Sequence, residues 1–91
     1  MNPTQYQFRF GTTVKMTDVE ETMALAVIAA EGLHGRARVQ LDGQCETSRD
    51  GRTCTVNADT AVGRDIARIF TEILNLEIGE SAFSVAAGSS Q

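Results

Sequence analysis

The sequence predicts a single α+β domain, and three observations lead to that class. The chain has 91 residues, which is the length of one domain. Hydrophobic residues make up 42% of the chain and charged residues 22%, as in a soluble globular protein and unlike a disordered one. Apolar residues recur along the chain either every two residues, as in a strand, or about every 3.6 residues, as in a helix.

The first strand is predicted from Tyr6 to Met16, because its apolar residues share one parity and would line one face: Tyr6, Phe8, Phe10, Val14 and Met16. A helix is expected next. Thr17 would cap it, with Glu20 reaching back to complete a capping box. Apolar residues continue at helical spacing to Ala30, and Gly32 is expected to end the helix.

A second half-buried strand is predicted at residues 36–42, where Ala37, Val39 and Leu41 alternate with Arg36, Arg38, Gln40 and Asp42. Residues 48–51 predict a hairpin turn, with Gly51 at the position of positive φ. Cys54, Val56 and Ala58 then alternate along a third strand. Thr60 is expected to cap a second helix that ends near Gly79, and Phe83 and Val85 form a short last strand.

The predicted order of elements is therefore β-α-β-β-α-β over residues 5–87, with residues 1–4 and 88–91 as flexible termini. This pattern resembles the ferredoxin-like sandwich, in which a four-stranded antiparallel sheet carries two helices on one face. The resemblance is to a fold and not to a family. Because that fold hosts many unrelated functions, it implies no activity.

Charged residues separate by predicted layer. Strand and hairpin segments contain six bases and three acids, whereas the helices and their flanks contain two bases and nine acids. The open face of the sheet is therefore expected to be cationic and to carry Arg9, Arg36 and Arg38, as a docking surface for an anionic partner such as nucleic acid or the helical side of another copy, or for another protein. A plain solvated sheet face is the alternative.

Self-association is also expected from the helices, because some of their apolar residues lie off the main apolar lines and should be exposed in a monomer. These residues are Leu25 and Ile28 in the first helix and Leu74 and Leu76 in the second. The alternative is that these side chains fill the groove between the two helices of the same chain. Nucleic acid is disfavoured as a partner, since the strand aromatics are expected in the core and the isoelectric point is about 4.8. The longest apolar run spans residues 23–30, too short to cross a membrane.

Few residues are typical of a catalytic, ligand-binding or metal-binding site. The loop holding His34 and Arg36 is a candidate ligand or enzymatic site, but no motif of a known catalytic or metal site occurs. Cys45 and Cys54 are expected to be inert thiols, with a cross-strand disulfide or a two-ligand metal clip left open until the hairpin register is known. With no export signal at its start, the chain is expected to be cytoplasmic. The sequence thus favours a non-enzymatic, self-associating interaction module without a cofactor.

Overall fold

The structure, a computed structural model, describes residues 4–88. In these residues a four-stranded antiparallel sheet is joined to three α-helices, which confirms the predicted α+β class. The elements in chain order are β1 (Gln5–Phe10), α1 (Met16–His34), α2 (Arg36–Asp42), β2 (Cys45–Ser48), β3 (Thr53–Asn57), α3 (Ala61–Glu77), a 3₁₀ turn (Glu80–Ala82) and β4 (Phe83–Gly88).

The sheet has the strand order β2-β3-β1-β4, so β2 and β4 are its two edges. Phe8 in β1 lies opposite Cys54 in β3 on one side and opposite Val85 in β4 on the other. Alternate residues of a strand point to opposite faces, and the inner face of β1 and β3 is buried as the sequence predicts. This inner face comprises Phe8, Phe10, Cys54 and Val56.

Helices α1 and α3 pack on this inner face and run antiparallel to each other. Thr22 near the start of α1 donates a hydrogen bond to Glu77 at the end of α3, with an O–O distance of 3.1 Å. The ring of Phe70 in α3 meets that of Phe8 edge-to-face at a centroid distance of 4.9 Å, a favourable arrangement of aromatic rings. The core therefore lies between one face of the sheet and these two helices.

The strand predicted at residues 36–42 is wrong, because this segment forms α2. Gly35, at φ +88°, separates α2 from α1. Only Val39 is buried, whereas Leu41 is largely exposed, so the alternation of apolar residues did not reflect a buried face. Arg, Ala, Gln and Leu are good helix formers, and such a short apolar pattern does not distinguish a strand from a helix. The second strand lies further along the chain, at Cys45–Ser48.

The boundary between β1 and α1 also differs from the prediction. β1 ends at Phe10, and α1 begins at Met16 with Lys15 as its N-cap and no side-chain cap. The predicted capping box at Thr17 is therefore wrong, since this residue lies inside the helix. Gly32 does not end α1 either, because the backbone remains helical as far as His34.

Other local signals give the predicted result. Thr60 caps α3 by accepting a hydrogen bond from the N–H of Gly63 at 3.0 Å. Gly79 follows the end of α3 at φ +85°, where a glycine is favoured. In the hairpin, however, Arg52 and not Gly51 has the positive φ.

The predicted flexible termini are only partly described. Thr4 donates its backbone N–H to the carbonyl of Gly88 at 2.8 Å, so these two residues continue the pairing of β1 and β4. The remainder of the predicted termini, residues 1–3 and 89–91, lies outside the described residues.

Candidate interaction surfaces

Helix α1 is apolar on two opposite sides. Its inward side contributes Val19, Met23, Ala26 and Ala30 to the core. Its outward side presents a second apolar line, which we call the α1 stripe and define as Ala24, Leu25, Ile28 and Gly32. Leu25 is 52% exposed and Ile28 62% exposed, and residues three, four and seven apart lie on one side of a helix.

Charged residues lie at the two ends of the α1 stripe and not within it. No charged residue occurs between Glu21 and Glu31 in the sequence. Asp18 and Glu21 are exposed at the N-terminal end, while Arg36 and Arg38 are exposed on α2, just beyond the C-terminal end. The exposed charges are thus acidic at the N-terminal end of α1, and two arginines follow its C-terminal end, of which Arg38 pairs with Asp42 at 3.5 Å.

A groove lies between α3 and β4 on the inner face of the sheet, at its β4 edge. Its volume is about 580 Å³, and its lining includes Tyr6, Phe8, Ala67, Arg68, Thr71 and Val85. Val85 is 43% exposed although it lies on the inner face opposite Phe8, because the helices do not cover this margin of the sheet. The sequence analysis missed this feature, for which the signal is the uncharged segment 83–88.

The cationic sheet face predicted from the sequence does not form. Arg9 is exposed on the outer face, but Arg36 and Arg38 lie on α2 and not on the sheet. Within the four described strands, Arg9 and Glu46 are the charged residues, so the outer face is close to neutral. The prediction failed because it depended on the strand at residues 36–42.

The arginines of the β2–β3 hairpin are engaged in contacts with other elements. Arg49 forms two hydrogen bonds with the Glu20 carboxylate of α1, at 2.5 and 2.7 Å, and these lower the pKa of Glu20. Arg52 donates to the backbone carbonyls of Gly11 and Val14 and so fixes the loop before α1. These arginines therefore attach the hairpin to the rest of the fold.

His34 pairs with Asp65 and not with Arg36. Its Nε2 atom lies 2.7 Å from Oδ2 of Asp65, and Arg68 approaches the other carboxylate oxygen at 3.7 Å. Among residues 4–88 no hydrogen bond or ion pair joins His34 to Arg36, which is exposed on α2. The pair therefore joins the C-terminal end of α1 to the N-terminal part of α3.

The two cysteines are free and offset from each other. Cys45 lies opposite Val56, and Cys54 lies opposite Thr47, so the hairpin register does not place the sulfurs face to face. The hydroxyl of Thr47 is 3.3 Å from the Cys54 sulfur. Burial raises the pKa of both thiols, which lowers the fraction of reactive thiolate at neutral pH.

In residues 4–88 no group of three or more His, Cys, Asp or Glu side chains is arranged to hold a metal ion. None of the helices in this part of the chain is both long and apolar enough to cross a membrane.

Comparison of the chain with models of protein families, with curated proteins and with solved structures finds no match. A function therefore has to be inferred from the surfaces of the chain itself.

Proposed function

We propose that the chain is a self-association module, in which the α1 stripe packs against the α1 stripe of a second copy. The observation that carries the proposal is the exposure of Leu25 and Ile28 in the middle of an uncharged helical segment. A helix side that is apolar is normally buried, and here residues 4–88 cover only one of the two apolar sides of α1.

The charges at the ends of α1 favour an antiparallel pair of helices. In that orientation Asp18 and Glu21 of one copy lie near the exposed Arg36 of the second copy. A parallel pair would place like charges together, which is unfavourable. The same patch then serves on both copies, as an isologous dimer about a two-fold axis requires.

The side chains of the stripe suit close helix packing. Ala24 and Gly32 are small, so they allow the helix axes to approach to about 8–10 Å. Full burial of an exposed Leu or Ile side chain stabilises by about 1.5–3 kcal/mol. Because Leu25 and Ile28 are already partly covered, each contributes part of that amount, and the two-fold axis doubles the total.

The proposal is tested with Leu25→Lys and with Ile28→Lys, measured by size-exclusion chromatography with light scattering. Each variant places a charge in the proposed interface and is expected to shift the mass towards that of a monomer. Leu76→Lys is the matched control, because Leu76 is 87% exposed on α3 and lies outside the stripe. The proposal fails if the unsubstituted chain is a monomer, or if the stripe variants and the control associate equally.

An ion-pair exchange tests the orientation. Glu21→Lys and Arg36→Glu are each expected to weaken the dimer, and the double variant is expected to recover part of the loss. A parallel arrangement would give no recovery, because residues 21 and 36 would then be distant from each other in the dimer.

We also propose that the chain is a variant of the ferredoxin-like sandwich. The alternation of elements, the antiparallel pairing and the central position of β1 and β3 support this relation. Helix α2 would then be an addition between the first helix and the second strand. The test is an experimental structure in which α2 is found in the same position.

A further inference from the structure

Strand β4 is an edge strand whose outer side has no partner strand in residues 4–88. An unpaired edge presents backbone N–H and C=O groups that are ready to bond another strand. The hydrogen bond from Gly11 N–H to Ala82 O, at 3.0 Å, shows which residues of β4 direct their backbone groups towards β1. Since the groups alternate in an antiparallel ladder, those of Phe83, Val85 and Ala87 point away from β1.

Strand β4 lacks the features that usually protect an edge. Its six residues are FSVAAG, without a charge or a proline. The opposite edge, β2, has four residues and carries the exposed Glu46. Edge strands in natural proteins are usually short or charged, which prevents pairing with another chain. Strand β4 has neither property and is therefore able to pair with another strand.

We propose that β4 pairs antiparallel with β4 of a second copy, with Val85 opposite Val85 at the two-fold axis. In this register Phe83 lies opposite Ala87, so a large side chain meets a small one on the inner face. All three residues with outward-pointing backbone groups find a partner, whereas a shift of the register leaves some of them unpaired. The result is a continuous eight-stranded sheet.

The apolar groove beside β4 is consistent with this partner. Its floor includes Tyr6, Phe8 and the partly exposed Val85, and a second strand added to β4 would extend that floor. The α3 rim of the groove carries both cationic and anionic side chains, which are Arg64, Asp65, Arg68 and Glu72. An uncharged strand suits such a balanced rim better than a strongly charged peptide would.

This interface would be separate from the one formed by the α1 stripe. Helix α1 is attached to the β2–β3 hairpin through Glu20 and Arg49, whereas β4 forms the other edge of the sheet. A chain with two isologous interfaces assembles beyond a dimer, and it closes as a tetramer when the two axes are perpendicular. The inference therefore extends the proposed self-association but does not depend on it.

Disulfide crosslinking tests the register. Val85→Cys in a Cys45→Ser background is expected to convert most of the chain into a covalent dimer under mild oxidation, because opposite Cα atoms in a hydrogen-bonded pair are about 5.5 Å apart. Ala86→Cys is the matched control. In the proposed register it faces Ser84 of the second copy, and the two new cysteines would be more than ~7 Å apart, too far to bridge.

The pairing itself is tested by adding Ala87→Pro to the Val85→Cys chain. Proline is tolerated where the N–H points away from the sheet, so β4 is expected to stay paired with β1 while the crosslink is lost. Equal crosslinking of Val85→Cys and Ala86→Cys, or none of Val85→Cys, would overturn the inference. Repeating the experiment with Leu25→Lys separates the interfaces: crosslinking should persist even if the α1 stripe is blocked or plays no part.

Discussion

Helices α1 and α3 occupy the same layer and differ in how they use their apolar residues. In α3 the large apolar side chains Ile66, Phe70 and Leu74 are fully buried, and the outward side is charged at Arg64, Arg68 and Glu72. In α1 the apolar residues continue around the helix to the exposed stripe. The fold of one chain therefore buries most of the apolar surface of α3, apart from Leu76, but leaves one side of α1 uncovered. Substitutions in α3 should mainly affect stability, and substitutions in the α1 stripe should mainly affect assembly.

The largest expected difference concerns the buried aromatic ring of α3. Phe70→Ala should lower the free energy of unfolding by about 3–5 kcal/mol, because it removes a fully buried ring that contacts Phe8. Leu25→Ala on α1 should change it by less than about 0.5 kcal/mol at protein concentrations that favour the monomer. Urea denaturation measures both. Similar losses for the two variants would show that Leu25 belongs to the core.

Alanine substitutions at two glycines are expected to change the free energy of unfolding in opposite directions. A Cβ atom at Gly63 in α3 would lie 1.9 Å from the carbonyl oxygen of Asn57, so Gly63→Ala should destabilise by about 1–3 kcal/mol or more. A Cβ atom at Gly32 in α1 would meet nothing within 4 Å. Gly32→Ala should therefore stabilise the monomer by up to about 1 kcal/mol.

Thermal and urea unfolding at low protein concentration measure the two glycine variants. A gain in stability for Gly63→Ala would contradict the close approach of α3 to Asn57. A loss for Gly32→Ala in the monomer would contradict the helical, uncovered position of Gly32.

The two threonines predicted as helix caps, Thr60 and Thr17, are also expected to differ in their contribution to stability. Thr60 accepts a hydrogen bond from Gly63 and donates one to the carbonyl of Asp42 at 2.8 Å, so Thr60→Ala should cost about 1–2 kcal/mol. Thr17 is exposed inside the first turn of α1 and caps nothing. Thr17→Ala should stay within about 0.5 kcal/mol of the parent chain in urea unfolding. Equal costs would mean that Thr17 is the N-cap and that α1 begins two residues later than described.

The smallest expected effect involves the ion pair between α1 and the hairpin. The pKa of Glu20 is lowered by its hydrogen bonds with Arg49, so the pair stabilises the fold above the ordinary pKa of 4.5 and loses its effect as the pH falls through the lowered pKa. Arg49→Gln should therefore be slightly less stable than the parent at pH 7, with the difference vanishing in acid. Urea unfolding across this pH range checks it. A difference that grows as the pH falls would contradict the pairing.

Sequence patterns predicted the parts of the fold in which long-range packing agrees with local preference. The alternation of Tyr6, Phe8 and Phe10 and the helical spacing from Val62 to Ile73 both extend over a buried face. They therefore identified the central strand and α3. The Thr60 cap was also predictable, because it depends on neighbours in sequence.

The segment at residues 36–42 could not be assigned correctly from local spacing. Ala37, Val39 and Leu41 alternate with polar residues, but only Val39 reaches the core, and that outcome depends on how α2 lies against α3. The predicted cationic sheet face failed for the same reason. The exposure of Leu25 and Ile28 also depends on how the two helices pack. The unbroken apolar segment 23–30 nevertheless indicated a helix with more apolar surface than one face requires.

The most direct test of the account is an NMR titration of methyl signals against protein concentration. If the α1 stripe is the self-association surface, the methyl signals of Leu25 and Ile28 shift together along one binding curve, while those of Leu76 and Leu41 stay fixed. Constant Leu25 and Ile28 signals up to millimolar concentration, or shifts confined to Leu76 and Leu41, would contradict it.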